Sequence, residues 1–124
     1  MSVSAPLEEG RAAFNRGEFF VAHERWEEAW RELAGPERVA VQGLVQIAAG
    51  LHHMQGRRLE SAGRLLAKGL EKIPLDPPAL LAAFDVPSLA RDVARLLVTL
   101  ERPGPPPDPT KLRLEKLGLT VPRD

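Results

Sequence analysis

The sequence contains no cysteine. Disulfides, thiolate metal sites and redox chemistry at sulfur are therefore excluded, and histidine, carboxylate and amide groups are left as the side chains able to ligate a metal. A charge of one sign is also lacking, because 17 Lys and Arg balance 17 Asp and Glu. No chain-wide field would draw the protein to nucleic acid or to an anionic membrane, and neither partner is expected; a local patch is all the balance leaves room for. No stretch approaches the ~20 apolar residues of a membrane span. The opening MSVSAPLEEG lacks the basic start and apolar run of a secretory signal, so a cytoplasmic location is expected.

Strand-like alternation is missing as well, and what is present is helical. The 124 residues, 44% of them hydrophobic, suit one domain with a real core. Glycine and proline punctuate residues 1–102 where helices should start and stop. A first helix opens near Ser4 or Ala5 with Pro6 and runs to Gly17. A second spans roughly Glu18 to Leu33, ended by Gly35-Pro36, and a third spans roughly Glu37 to Gln55, closed by Gly56. A fourth, about Arg57 to Ile73, carries Leu59, Ala62, Leu66, Leu70 and Ile73 at three- and four-residue steps before Pro74 stops it. A short helix is expected over Ala79 to Phe84, and a sixth, capped by Ser88, from Leu89 to about Leu100. Short connections favour antiparallel neighbours, so the fold class is all-α, a compact antiparallel helical bundle of five to six helices. Residues 103–124 form a Pro-rich C-terminal tail, RPGPPPDPT leading to KLRLEKLGLT, whose leucines suit a strap packing on the body or a docking segment.

Both tryptophans fall within HERWEEAW, residues 23–30. At about 100° per residue, Phe19, Ala22, His23, Trp26, Trp30 and Leu33 share one arc that faces the core. Trp26 and Trp30 read as anchors, each hiding about 150–250 Å² from water. Glu24, Arg25, Glu28 and Arg31 read as a solvated face with helical ion pairs, Glu27 to Arg31 among them. His23 and Glu27 differ, since four-residue spacing on the inner side lets one cation touch both, or lets the carboxylate orient the ring.

The third helix, RVAVQGLVQIAAGLHHMQG, is apolar almost all round, as a central helix is. Gln42, Gln46 and His53 make a narrow polar stripe flanked by Gly43, Ala49 and Gly50, while His52 points away among Val41 and Val45 and reads as a packed histidine. Facing the second helix, the stripe would join His23 and Glu27. Two histidines and a carboxylate, His23, Glu27 and His53, form the donor set of many open zinc, iron and manganese sites, with Gln46 as fourth ligand or supporting donor. The other reading of these residues is a buried hydrogen-bonded network that fixes helix register. HERWE lacks the second histidine of the zincin motif, the Glu-x-x-His repeats of di-iron bundles are missing, and neither a phosphate loop nor a nucleophile with a partner is seen.

FFVAHERWEEAW followed by QGLVQIAAGLHHMQG resembles the bacterial and archaeal domain of unknown function family 309, whose hallmark is His-x-x-x-Glu-Glu-x-Trp. His23, Glu27, Glu28 and Trp30 match it over roughly residues 8–73. The resemblance implies a small all-helical fold and a motif suggested to bind metal, without an established reaction, and it adds Glu28 to the supporting set of Glu24, Trp26, Trp30 and Gln46. The leading expectation is a divalent-metal-binding polar site between helices two and three, with any enzymatic activity open. The alternatives are a non-enzymatic interaction or dimerisation module, a homo-oligomer included, and a small-molecule pocket lined by the tryptophans.

Overall fold

A computed structural model describes residues 2–116, and the sequence pattern becomes five helices: α1 (Ser4–Asn15), α2 (Phe19–Arg31), α3 (Gly35–Gln55), α4 (Leu59–Lys72) and α5 (Val86–Leu100). Single 3₁₀ turns occupy Ala79–Leu81 and Pro109–Lys111. Consecutive helices pack on one another, α1 on α2, α2 on α3, α3 on α4 and α4 on α5. Among the described residues no helix is long and apolar enough to cross a membrane.

Helix α2 buries Phe19, Ala22, Trp26 and Ala29 at three- and four-residue steps, the period that keeps one face inward. Trp26 is fully buried, and its indole Nε1 donates to the Leu7 carbonyl of α1 at 3.0 Å. The ring lies flat on Gly10, where even one methyl group would collide with it. Phe14 packs against both Trp26 and Phe19, with ring centroids 5.5 and 5.1 Å apart. Helix α3 is the central element, with neighbours on two sides as its nearly continuous apolar surface requires. Against α4 it approaches backbone to backbone: a Cβ at Gly43 would stand 2.8 Å from the Gly69 carbonyl oxygen, and one at Gly69 2.7 Å from that of Gly43.

The turns after α1 and α3 share one geometry. In the first, Glu18 N–H reaches Ala13 O and Gly17 N–H reaches Phe14 O, with Gly17 at φ +79°. In the second, Arg58 N–H reaches His53 O and Arg57 N–H reaches Met54 O, with Arg57 at φ +64°. Both are paired-bond helix stops that place one residue in the left-handed region. The sequence suggests Gly56 for that place, yet Gly56 sits at φ −86° and the next residue takes it. Left-handed backbone costs a side-chain-bearing residue about 1–2 kcal/mol.

Two further expectations change. Ala79 to Phe84 forms only one 3₁₀ turn, because the chain must straighten at Phe84 to bridge Lys116 and to donate Asp85 N–H to Glu115 O at 2.7 Å. Ser88 does not cap α5; Asp85 does, accepting Ser88 N–H on Oδ1 at 3.2 Å, while Pro87 fills a first-turn place where its missing N–H costs nothing.

Residues 108–116 lie back on the body. Leu112 and Leu114 are buried, each contributing about 1.5–3 kcal/mol of gross transfer free energy. The Asn15 side chain clamps the backbone of Leu114, accepting its N–H at 2.8 Å and donating to its carbonyl at 3.1 Å. Arg11 adds a bond to the same carbonyl, and its ion pair with Glu8 holds that carboxyl below the usual carboxylate range. Leu117 and Leu119 of the expected strap lie outside the described residues.

Candidate functional site

The side chains of HERWEEAW fan out from α2 in different directions. Trp26 points into the core beneath α1. Arg25 turns to the α1 side, pairing with Glu28 at 2.6 Å and with Glu9 at 3.7 Å, so Glu28 meets a partner on its own helix and Arg25 makes the link to the neighbour. Glu24 is exposed. His23, Glu27 and Trp30 occupy a half-buried row. Glu27 accepts from Arg31 at 3.2 Å, the helical pair expected from spacing. Trp30 is less deeply buried than an anchor; the Arg38 guanidinium covers its ring at 3.9 Å from the centroid while donating to Leu33 O, an arrangement that staples the α2–α3 turn.

The stripe on α3 faces α4. Lys72 Nζ donates to Gln46 Oε1 at 2.9 Å, and His53 Nδ1 lies 2.7 Å from Ser61 Oγ. Ser61 Oγ also lies 3.2 Å from Arg58 O, and when its one hydrogen goes to that carbonyl, His53 Nδ1 is the donor to Ser61. Burial, then the nearby charges of Arg58 and His52, push the His53 pKa below the ordinary histidine value. The expectation that the stripe looks toward α2 fails at Gln46 and His53 for a packing reason: Gly43 and Gly50 flank the stripe, and these small residues are where α4 comes closest. A helical projection shows which residues share a face but not which helix that face meets.

His52, read from sequence as a packed bystander, is the histidine on the α2 side. Its ring is 5.2 Å from Phe20, and Phe20 stacks on His23 at 5.9 Å and 14°. His52 is also 6.4 Å from His53, so four rings follow one another as His23, Phe20, His52 and His53. His53 and Glu27 thus have other partners, and among the described residues no group of three His, Asp or Glu side chains is placed to hold a metal ion. His23 Nδ1 and Trp30 Nε1 are buried with no hydrogen-bond partner, each at a cost of about 1–3 kcal/mol.

Residues 7–65 match the family described as Domain of unknown function (DUF309). Over that span, a little under half of the chain, the sequence is similar to this family. No curated protein and no solved structure matches it. The DUF309 segment therefore covers α1 to α3 and the first half of α4, and both ends of the ring row lie inside it.

One pole of the DUF309 segment collects features that sequence reading passed over. Gln55 Nε2 donates to Gly17 O at 2.9 Å, which brings the end of α3 to the α1–α2 turn. Thr110 packs on Gly17, and Arg113 donates to Asn15 O. Around this junction Arg16, Arg57, Arg58, Lys111 and Arg113 are exposed, with Glu18, Asp108 and, two residues after Arg58, Glu60 as the acids. Arg16 pairs with Glu18 at 2.9 Å, and Asp108 is occupied by Thr110. Phe20 stands at the same pole, 49% exposed. The legible signal was Arg57-Arg58 between two helices, a position where basic side chains have no helix face of their own to cover.

The tryptophan-lined pocket does not materialise in this geometry, since Trp26 has no exposed surface. A groove of about 410 Å³ between α4 and α5 is lined instead by Leu59, Gly63, Ala67, Leu97 and Leu100, with Glu60, Arg64 and Glu101 on its walls.

Proposed function

We propose that this protein is a non-enzymatic interaction module, a rigid helical scaffold whose half-buried polar residues hold the helices in register. The observation that carries this reading is that two polar side chains of α3 are engaged across the α3–α4 contact, Gln46 with Lys72 and His53 with Ser61. Polar groups satisfied between helices fix their relative position. The half-exposed Phe20 among cations supports a contact surface at the α1–α2 and α3–α4 turns, since an exposed aromatic ring is a common anchor of recognition.

Calorimetric titration of untagged protein with Zn²⁺, Mn²⁺ and Fe²⁺ tests the reading. The expected result is no binding tighter than about millimolar, with His53→Ala lowering stability by about 1 kcal/mol through its lost bond. Stoichiometric micromolar binding that disappears in both His23→Ala and His53→Ala would overturn it and restore a metal centre.

A further inference from the structure

We infer that the pole formed by the α1–α2 and α3–α4 turns binds single-stranded nucleic acid, its bases on the His23–Phe20–His52–His53 ring row and its phosphates on Arg57 and Arg58. The inference rests on the interaction-module reading and names the partner class of that surface. Equal totals of acidic and basic residues exclude a field over the whole molecule, not a local one, and the fold gathers five exposed cations beside three acids that have partners of their own, Glu18 on Arg16, Asp108 on Thr110 and Glu60 on Arg64. Among the described residues Arg57, Arg58, Lys111 and Arg113 form no ion pair.

Cations near the C-terminal ends of helices are commonly explained by the helix dipole. That explanation covers Arg113 on Asn15 O and Arg58, whose guanidinium folds back over Gly56 at the end of α3, but it does not account for the left-handed backbone of Arg57. Arg57 holds the left-handed place that Gly56 next door would fill without strain, and strain retained at a charged surface residue points to use of that side chain.

The rings choose among polyanions. Unpaired bases stack on phenylalanine and histidine faces while arginines take the phosphates. Double-stranded nucleic acid hides its base faces. An acidic peptide has no need of a row of rings, and an anionic membrane would need apolar area, whereas Phe20 is the one large exposed hydrophobic residue at this pole; Val39, Leu75 and Val98 lie on other parts of the described surface.

Fluorescence anisotropy with a labelled mixed-sequence single-stranded RNA and its DNA counterpart, on the full chain, tests this. Binding is expected to weaken roughly sevenfold between about 50 and about 200 mM salt, as two phosphate contacts on a single strand imply. Arg57→Glu with Arg58→Glu should lower affinity at least tenfold. Phe20→Ala should lower it roughly tenfold, and Phe20→Trp should restore it. Arg91→Glu with Arg95→Glu, on α5, should leave binding unchanged. Circular dichroism of each variant confirms its fold, and the exposure of the substituted side chains keeps that control meaningful. The inference is overturned by an absence of binding at low salt, by binding indifferent to Arg57, Arg58 and Phe20, or by equal affinity for a duplex, for polyglutamate or for phosphatidylserine vesicles. Any of these leaves the scaffold reading standing, because that reading fails on metal titration instead.

Discussion

Two turns at the same pole have the same backbone and opposite chemistry. The α1–α2 turn, Arg16-Gly17-Glu18, puts glycine at the left-handed position and neutralises its arginine with the neighbouring glutamate. The strap covers it: Thr110 packs on Gly17, and Asn15 and Arg113 tie it to residues 113–114. The α3–α4 turn, Gly56-Arg57-Arg58, repeats the hydrogen bonds but shifts its glycine one place early, strains an arginine and replaces the glutamate by a second arginine. The residues that enter the next helices do so with nearly equal dihedrals, φ −91° and ψ 71° at Glu18 against φ −92° and ψ 74° at Arg58. The backbone problem being the same, the difference lies in what each turn presents: the first is built for stability, and the second carries strain and keeps its charges in water.

The comparison breaks most severely at the strap. Asn15→Ala removes both clamp bonds to Leu114 and should cost about 2–3 kcal/mol at roughly 1 kcal/mol or more per bond; chemical denaturation that leaves stability within error would show that the first turn does not depend on its cover. Gly17→Arg, which gives the first turn the residue that the second tolerates, should cost about 1–2 kcal/mol from the left-handed backbone, and the contact with Thr110, 3.0 Å from the new Cβ, adds to it. The converse change sharpens the contrast. Arg57→Gly should raise stability by about 1 kcal/mol while weakening binding of single-stranded RNA, so a thermal melt and an anisotropy titration should move in opposite directions.

The smallest effect is a pH dependence. Burial and the Arg58 and His52 charges hold the His53 pKa below its unfolded value, so the folded state takes up this proton less readily. The contribution is therefore fully present above the ordinary histidine value of about 6.5 and is lost as pH falls through it toward the lower folded value. Melting curves collected downward from neutral pH should decline more in the wild type than in His53→Gln. Arg58→Glu, which gives the second turn the charge of Glu18, should flatten the decline.

Helix order was legible because each start and stop carries its own local signal: Pro6, Gly17, Gly35-Pro36 and Pro74 act within one turn of the chain. The buried positions of α2 and α4 followed from three- and four-residue spacing, which needs no knowledge of neighbours. The candidate site was less legible. His23, Trp26 and Trp30 were expected on one inward arc, and of these only Trp26 is buried, while His52 and His53 exchanged the directions expected of them. The choice was made by Gly43, Gly50 and Gly69, whose missing side chains let α4 approach the stripe. Asn15 carried no signal at all, because its partner is Leu114, across the whole length of the chain.

By itself, then, the sequence determined the helices, their order and their inward faces, since helix periodicity and capping are local properties of the chain. Only the tertiary structure decided which polar residues meet. It turned Gln46 and His53 toward Lys72 and Ser61, set four rings in a row and gathered arginines from separate turns into one field on a chain with no net charge. Those outcomes depend on where the helix backbones can come closest, and that is set by small residues on two helices at once.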